Sequence, residues 1–226
     1  MLIRNILKLA LAMLVLILGY NYANQMQWDI GAVDIDKVGE NISEAEVGGI
    51  VNSYLDQGWI HLDIVGLKNE LSSLEWVEDV KISRVFPDKV HIHLVEKIPV
   101  ARFGKAKLLS LKGAIFSPPD VAAYDNLPTM EVEENDLNYA FQAFLVLREG
   151  LKKVESLPQN VSFFRYKVGF GWDIGFVGGL TVRLGRGDFN SLFARFSYYY
   201  PAVVKQRNGI VPKSFDMRYS SGAAVS

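Results

Sequence analysis

The chain has 226 residues, 50% of them hydrophobic and 22% charged, with 24 basic residues against 25 acidic ones. That much apolar side chain can bury a core in one large domain or two small ones, which excludes a disordered tail, and the balanced charge supplies no field to draw the chain onto nucleic acid. The absence of cysteine removes disulfides, thiolate metal sites and cysteine nucleophiles together and fits a periplasmic protein that avoids mispairing, leaving His61, His91 and His93 as the imidazole ligands or bases.

Arg4 and Lys8 stand ahead of an unbroken apolar run from Leu9 to Gly19. The stretch from Ile3 to Ala23 is about as long as the ~20 residues that cross ~30 Å of hydrocarbon, with Lys8 snorkelling toward the interface. Residues 1–27 are therefore expected to form a short cytoplasmic tail and a transmembrane helix carrying Leu9, Leu14, Leu18 and Tyr20. Positive charge at the front predicts that everything after Ala23 crosses the membrane. Tyr20, Tyr22 and Trp28 then fall where interfacial aromatics belong. The rival reading is a cleaved signal peptide, but Leu18-Gly19-Tyr20 and Tyr20-Asn21-Tyr22 put bulky groups where a small residue is wanted. A buried core helix is the third option, and the segment lacks the polar stripe it would show.

Residues 28–97 read as a small α+β domain. Ser43-Glu44-Ala45-Glu46 has the form of a capping box, followed by Val47, Ile50, Val51, Tyr54 and Leu55 at helical spacing, with a stop near Gly58. Ile64, Leu67, Leu71 and Leu74 form a second helical stripe opened by Asp63. The period then drops from 3.6 to 2. Val80, Ile82, Arg84 and Phe86 share one strand face, and after the Pro87-Asp88 turn Val90, Ile92 and Leu94 alternate with His91, His93 and Val95. With a first strand within Asp29 to Val38, the order is β-α-α-β-β, two helices on one face of a three-stranded sheet.

Residues 98–226 read as a second, mixed α/β domain with a curved antiparallel sheet. Lys107–Leu111 and Ala114–Phe116 flank a Lys112-Gly113 hairpin turn, and Ser117-Pro118-Pro119 to Pro128 is a loop by composition. A helix from about Asp136 to Val154 buries Leu137, Phe141, Phe144, Leu145, Leu151 and Val154. Strands are expected over Val161–Val168, Trp172–Val177 and, after a Gly178-Gly179 turn, Leu180–Leu184. Asp188 caps a helix carrying Leu192, Phe193, Phe196 and Tyr200 and ended by Pro201. Ser214 to Val225 reads as one last strand.

The β-α-α-β-β order is that of a POTRA module, and particular residues carry a closer likeness. Trp76-Val77, Val80-Lys81-Ile82-Ser83-Arg84, and the run from Phe86-Pro87-Asp88 through Glu96-Lys97-Ile98-Pro99-Val100-Ala101-Arg102-Phe103 resemble the signature of the FtsQ/DivIB family of bacterial cell-division proteins. Phe86 stands where that family usually has tryptophan. The likeness resumes at Leu184-Gly185-Arg186-Gly187-Asp188, Ala194-Arg195-Phe196 and Tyr200-Pro201, and closes on Phe215-Asp216-Met217-Arg218-Tyr219-Ser220-Ser221-Gly222-Ala223-Ala224-Val225. The resemblance implies a non-enzymatic inner-membrane scaffold, single-pass type II with its bulk in the periplasm, acting at the division septum. It implies partners of the FtsB and FtsL type and septal peptidoglycan synthesis proteins, and no cofactor. In that family a partner strand adds against the terminal strand and packs on the preceding helix.

A terminal strand at a sheet edge exposes unpaired N–H and C=O groups, which suits strand addition. Arg218 is expected to pair with a partner carboxylate, Tyr219 to offer a flat anchor, and Gly222 to admit another backbone, with Ser221, Ala223 and Val225 along the strand and Tyr198, Tyr199 and Tyr200 rimming it. The family's arginine near the start of the central strand pair has no counterpart, since Gly169 and Phe170 fall there and Arg165 is offset. The chain ends at Ser226 where relatives continue through a glycine and an aromatic residue, so less apolar contact, or a truncated chain, is expected there. The runner-up function is a POTRA-bearing accessory of outer-membrane protein assembly or secretion, which would need a C-terminal barrel of long alternating strands. His91-x-His93 lacks a nearby carboxylate or third histidine and reads as a solvated strand face. Arg186-Gly187-Asp188 reads as a capped turn, and Glu131, Glu133, Glu134 and Asp136 as a solvated loop entering a helix. No Walker loop, Gly-x-Ser-x-Gly elbow or His-Glu-x-x-His is present, so catalysis has no motif to rest on.

Overall fold

The computed structural model describes residues 2–25, 28–219 and 222–226, and the chain divides into two units, Met1–Lys97 and Ile98–Ser226. The first unit runs α1 (Leu2–Gln25), β1 (Ala32–Val38), α2 (Glu44–Leu55), α3 (Gly58–His61), α4 (Ile64–Ser72), β2 (Val77–Val85) and β3 (Lys89–Glu96). The described side chains of α1 from Lys8 to Asn21, including Leu9, Leu14, Leu18 and Tyr20, are exposed. Among the described residues, no helix is long and apolar enough to cross a membrane.

Local chemistry sets the two larger helices of the globular part. The Ser43 hydroxyl accepts the Glu46 N–H at 3.3 Å and the Asp63 carboxylate accepts the Gly66 N–H at 2.9 Å, each occupying an otherwise orphaned donor of a first turn. Central strand β3 pairs antiparallel with β2 across the hairpin and parallel with β1, the helices supplying the long crossover that a parallel neighbour requires. Val47, Val51, Leu67 and Leu71 from the helices meet Val80, Val90, Ile92 and Leu94 from the strands in one core. Each such side chain contributes about 1.5–3 kcal/mol on full burial. The expected β-α-α-β-β order is present with one addition. The first helix ends at Leu55, near Gly58 as expected, and Gly58 itself, at a φ of +74°, opens the short α3. The Arg84 guanidinium closes the far end of that helix, donating to the carbonyls of Trp59, Ile60 and Leu62 at 2.8, 3.2 and 2.8 Å.

The second unit runs β4 (Pro99–Phe103), β5 (Lys107–Ser110), β6 (Ile115–Phe116), β7 (Thr129–Glu131), α5 (Leu137–Lys153), β8 (Val161–Lys167), β9 (Gly171–Phe176), β10 (Thr181–Gly185), α6 (Phe189–Gln206), β11 (Ser214–Asp216) and β12 (Ala224–Val225). These strands form one nine-stranded sheet in the order β12-β11-β10-β9-β8-β7-β4-β5-β6. Phe141, Phe144 and Leu147 of α5 and Phe189, Phe193 and Phe196 of α6 share a core with Phe164, Ile174, Val182 and Phe215 of the sheet. Trp172 lies within it, 5.6 Å from the Phe164 ring and 5.1 Å from Phe189, and its indole N–H is satisfied by the Gly187 carbonyl at 3.1 Å.

Three expectations for this unit are corrected. The sheet is mixed, not antiparallel: β4 with β7, β7 with β8, and β10 with β11 pair parallel. A parallel pair needs a long crossover, which α5 supplies between β7 and β8, and α6 between β10 and β11. Second, Pro201 lies inside α6 and does not end it. A proline there forfeits a backbone bond at a cost of ~3 kcal/mol, but the apolar face continues past it through Val203 and Val204, which pack on the core. Third, Ser214 to Val225 is not one strand. It breaks after Asp216 and returns as β12, antiparallel to β11 with Phe215 opposite Val225 and Asp216 opposite Ala224.

Candidate partner-binding edge

The break after β11 follows from one side chain. Asp216 accepts the backbone N–H of Arg218 at 3.1 Å, an Asx-type local bond that turns the chain out of the strand. The same carboxylate accepts the Arg218 guanidinium at 2.9 Å from Nε and 2.6 Å from Nη2. The side-chain bonds from Arg218 hold the Asp216 carboxyl below its ordinary range, and Asp216 in turn raises the guanidinium. Arg218, expected to face a partner carboxylate, is thus already paired within its own chain.

Helix α6 fixes the other side of this turn. Nη2 of Arg195 donates to the carbonyls of Met217 at 2.6 Å and Tyr219 at 2.7 Å, while the Met217 side chain is buried and its N–H reaches the Arg183 carbonyl at 2.8 Å. Arg195 stands in the family-like run Ala194-Arg195-Phe196, which by itself assigns it no role. The available signal was a cation placed between Phe193 and Phe196, two core positions, on a helix of otherwise clear amphipathic spacing. Beyond the turn, β12 forms the end of the nine-stranded sheet, tied down by reciprocal backbone bonds between Ser214 and Ser226 at 3.2 Å.

The expected site residues divide around this geometry. Tyr219 is 58% exposed on the turn, and Tyr198 and Tyr199 are exposed on α6, their rings edge to face at 5.2 Å. Gly222 is partly exposed, and Ala223 and Val225 pack against the rim of the core. Tyr200 is corrected: at 3% exposure it belongs to the core, 5.2 Å from the Phe196 ring and 5.9 Å from Phe215, because it falls four residues after Phe196 on the buried face. Ser221 lies outside the described residues.

Arg165, offset from the position of the family arginine, is held by Glu131 at 2.6 Å and lies 3.5 Å from Asp173. Strand register extends this into a row of alternating charge, in which Glu131 faces Arg165, Asp173 faces Arg183, and Arg183 faces Asp216. In the first unit the expectation that His91 and His93 lack carboxylate neighbours is corrected. Parallel pairing sets Asp34 beside His91 at 3.1 Å and Asp36 beside His93 at 2.8 Å. Among the described residues, no three metal-ligating side chains converge. Asp188 caps α6, accepting the Ser191 N–H at 2.9 Å, which accounts for Arg186-Gly187-Asp188 as a turn.

Two family models match the chain: the FtsQ-type POTRA domain over residues 29–97, and the C-terminal domain of cell division protein FtsQ/DivIB over residues 100–218. Among curated relatives, the cell division protein FtsQ of Coxiella burnetii is 30% identical over 190 residues, covering 82% of this chain and 75% of that one. The FtsQ of Escherichia coli K12 is 30% identical over 155 residues, 67% of this chain but 55% of that protein's length. The FtsQ of Actinobacillus pleuropneumoniae is 29% identical over 170 residues, 75% and 72% of the two chains.

Proposed function

The chain belongs to the FtsQ/DivIB family of cell division proteins, and from that premise we propose that it is a non-enzymatic scaffold that recruits FtsB- and FtsL-type proteins to the septum by strand addition at β12. The observation that carries this reading is the end position of β12 in the sheet, beside a turn that displays Tyr219 on a frame built by Asp216 and Arg195. A strand added at an edge gains backbone hydrogen bonds without any prior pocket, and side chains at the rim then select among partners. Tyr219 and Tyr199 are suited to that selection, since a ring held by a pinned backbone loses little entropy on contact. Gly222 has nothing within 4 Å of where a Cβ would stand, which leaves room for an approaching backbone.

The scaffold is tethered by α1 in this reading, as a single-pass anchor with the rest of the chain in the periplasm and septal peptidoglycan synthesis proteins among its wider partners. Support comes from the sequence, in the apolar run between Leu9 and Gly19 behind Arg4 and Lys8. The test is affinity capture of FtsB- and FtsL-type proteins from membranes by the full chain. Tyr219→Ala or Gly222→Leu should abolish capture while leaving the circular dichroism spectrum unchanged. Undiminished capture by both variants refutes the assigned edge, and normal septation after depletion refutes the scaffold role.

A further inference from the structure

At one end of the first unit three aromatic rings gather, of which Trp59 also packs against the core. Trp28, Trp59 and Phe86 form a triangle with every pair of ring centroids 6.4 Å apart. They come from three separate places: the lead into β1, the short α3, and the β2–β3 hairpin. The triangle is braced from behind. The Trp59 backbone N–H donates to the Trp28 carbonyl at 2.6 Å, its indole N–H donates to the Lys89 carbonyl at 2.8 Å, and Arg84 holds the α3 carbonyls. Yet its outer side is bare: Phe86 is 74% exposed, Ile60 of α3 43% and Trp28 37%.

Phe86 leaves most of its ring in water, and an apolar group so placed gains roughly 25 cal/mol for each Å² that something covers. Chain connectivity argues what does so. Trp28 follows the last residue of α1, Gln25, by three positions, and three residues of chain reach at most about 11 Å. If α1 spans the bilayer, its end lies at the headgroup layer, and Trp28 is held within that reach of it. The Trp28 indole beside an exposed phenyl ring matches the chemistry of that layer, where amphipathic aromatics concentrate.

We infer that the α3 and β2–β3 hairpin end of the first unit seats on the phospholipid headgroup layer, with Phe86 and Ile60 inserting and Trp28 and Trp59 at the interface. This rests on the anchor reading of α1 and adds a second, peripheral contact that restricts the tilt of the first unit against the bilayer.

The cysteine-free sequence allows one reporter at a time. An environment-sensitive fluorophore is attached to Phe86→Cys, to Ile60→Cys, to Leu14→Cys within α1, or to Glu44→Cys. Glu44 bonds Lys37, five residues along β1 from Ala32 and so about 16 Å farther from Trp28. Each full-length variant is reconstituted into phosphatidylethanolamine and phosphatidylglycerol vesicles carrying lipids spin-labelled near the headgroup or deep in the acyl chain. The expected result is loss of emission at positions 86 and 60 with the shallow label, loss at 14 with the deep label, and none at 44. Quenching at 14 with none at either 86 or 60 overturns the headgroup contact and leaves the anchor standing. Absence of quenching at 14 overturns the anchor and the contact with it. The two patch positions guard against one substitution disturbing the fold.

Discussion

Replacing Arg195 by alanine removes two hydrogen bonds from one charged nitrogen, and the different burial of the two separates their contributions. Bonds from a charged donor contribute about 1.5–3 kcal/mol when water cannot replace them. The Met217 carbonyl is partly shielded and sits beside a buried side chain, so its loss is felt in full. The Tyr219 carbonyl is exposed, and water takes over that bond at little cost. The net expectation is therefore a loss of about 1.5–3 kcal/mol from the second unit. For a unit of this size that corresponds to a fall in melting temperature of roughly 5–10 °C. Scanning calorimetry of the full chain measures the shift, and hydrogen exchange measures where it falls: amides from Met217 onward should exchange faster while those of β8 and β9 keep their protection. Lysine at this position, able to hold one carbonyl but lacking the rigid guanidinium plane, should lie between the two. A melting temperature within about 1 °C of the parent, with unchanged exchange beyond Met217, would refute the idea that α6 holds the turn in place.

Further outcomes follow from the same frame. Phe215→Ala empties a fully buried site touching Phe196 and Tyr200 and should cost about 3–5 kcal/mol in a denaturant titration. Gly171→Ala should also destabilise strongly, because Gly171 has a φ of +93° and a Cβ there would stand 2.0 Å from the Gly185 carbonyl oxygen; Gly178→Ala, with nothing within 4 Å, should be milder on the same titration. The carboxyl of Asp216 is lowered by Arg218 from an ordinary value of 3.8. A depressed carboxylate stabilises above its unfolded value and loses that contribution as pH falls through the folded one. The stabilisation is thus complete near neutrality and disappears only below about pH 4. Asp216→Asn should flatten that acid limb in a pH series of melting curves while leaving the slope above pH 5 unchanged.

What the sequence revealed, and what it hid, separates by the range of the interactions. Ser43, Asp63 and Asp188 cap helices through bonds reaching three residues, and such bonds are written in neighbouring letters. The alternation of Val90, Ile92 and Leu94 marks a strand for the same reason, though not its central place in the sheet. The Asp34 to His91 and Asp36 to His93 contacts span 57 residues and depend on a parallel register that no local pattern encodes. At Pro201 propensity alone ends a helix, whereas packing of Val203 and Val204 carries it onward. At the edge, the segment from Phe215 to Val225 has strand-like letters throughout. The turn inside it arises from Asp216 competing for the backbone, a local bond that a run of apolar and small residues conceals.

The row of alternating charge across β7 to β11 bears on how a second protein arrives. Each cation in that row faces anions on the neighbouring strands, from Glu131 to Asp216. Opposite signs one strand spacing apart, about 4.8 Å, cancel at distances beyond the ~8 Å over which salt already screens them. The row itself therefore casts little long-range pull on a charged visitor. If β12 receives a partner strand as proposed, this row adds no steering of its own to the encounter, and the rate expected from it is the unsteered one, about 10⁵–10⁶ M⁻¹s⁻¹.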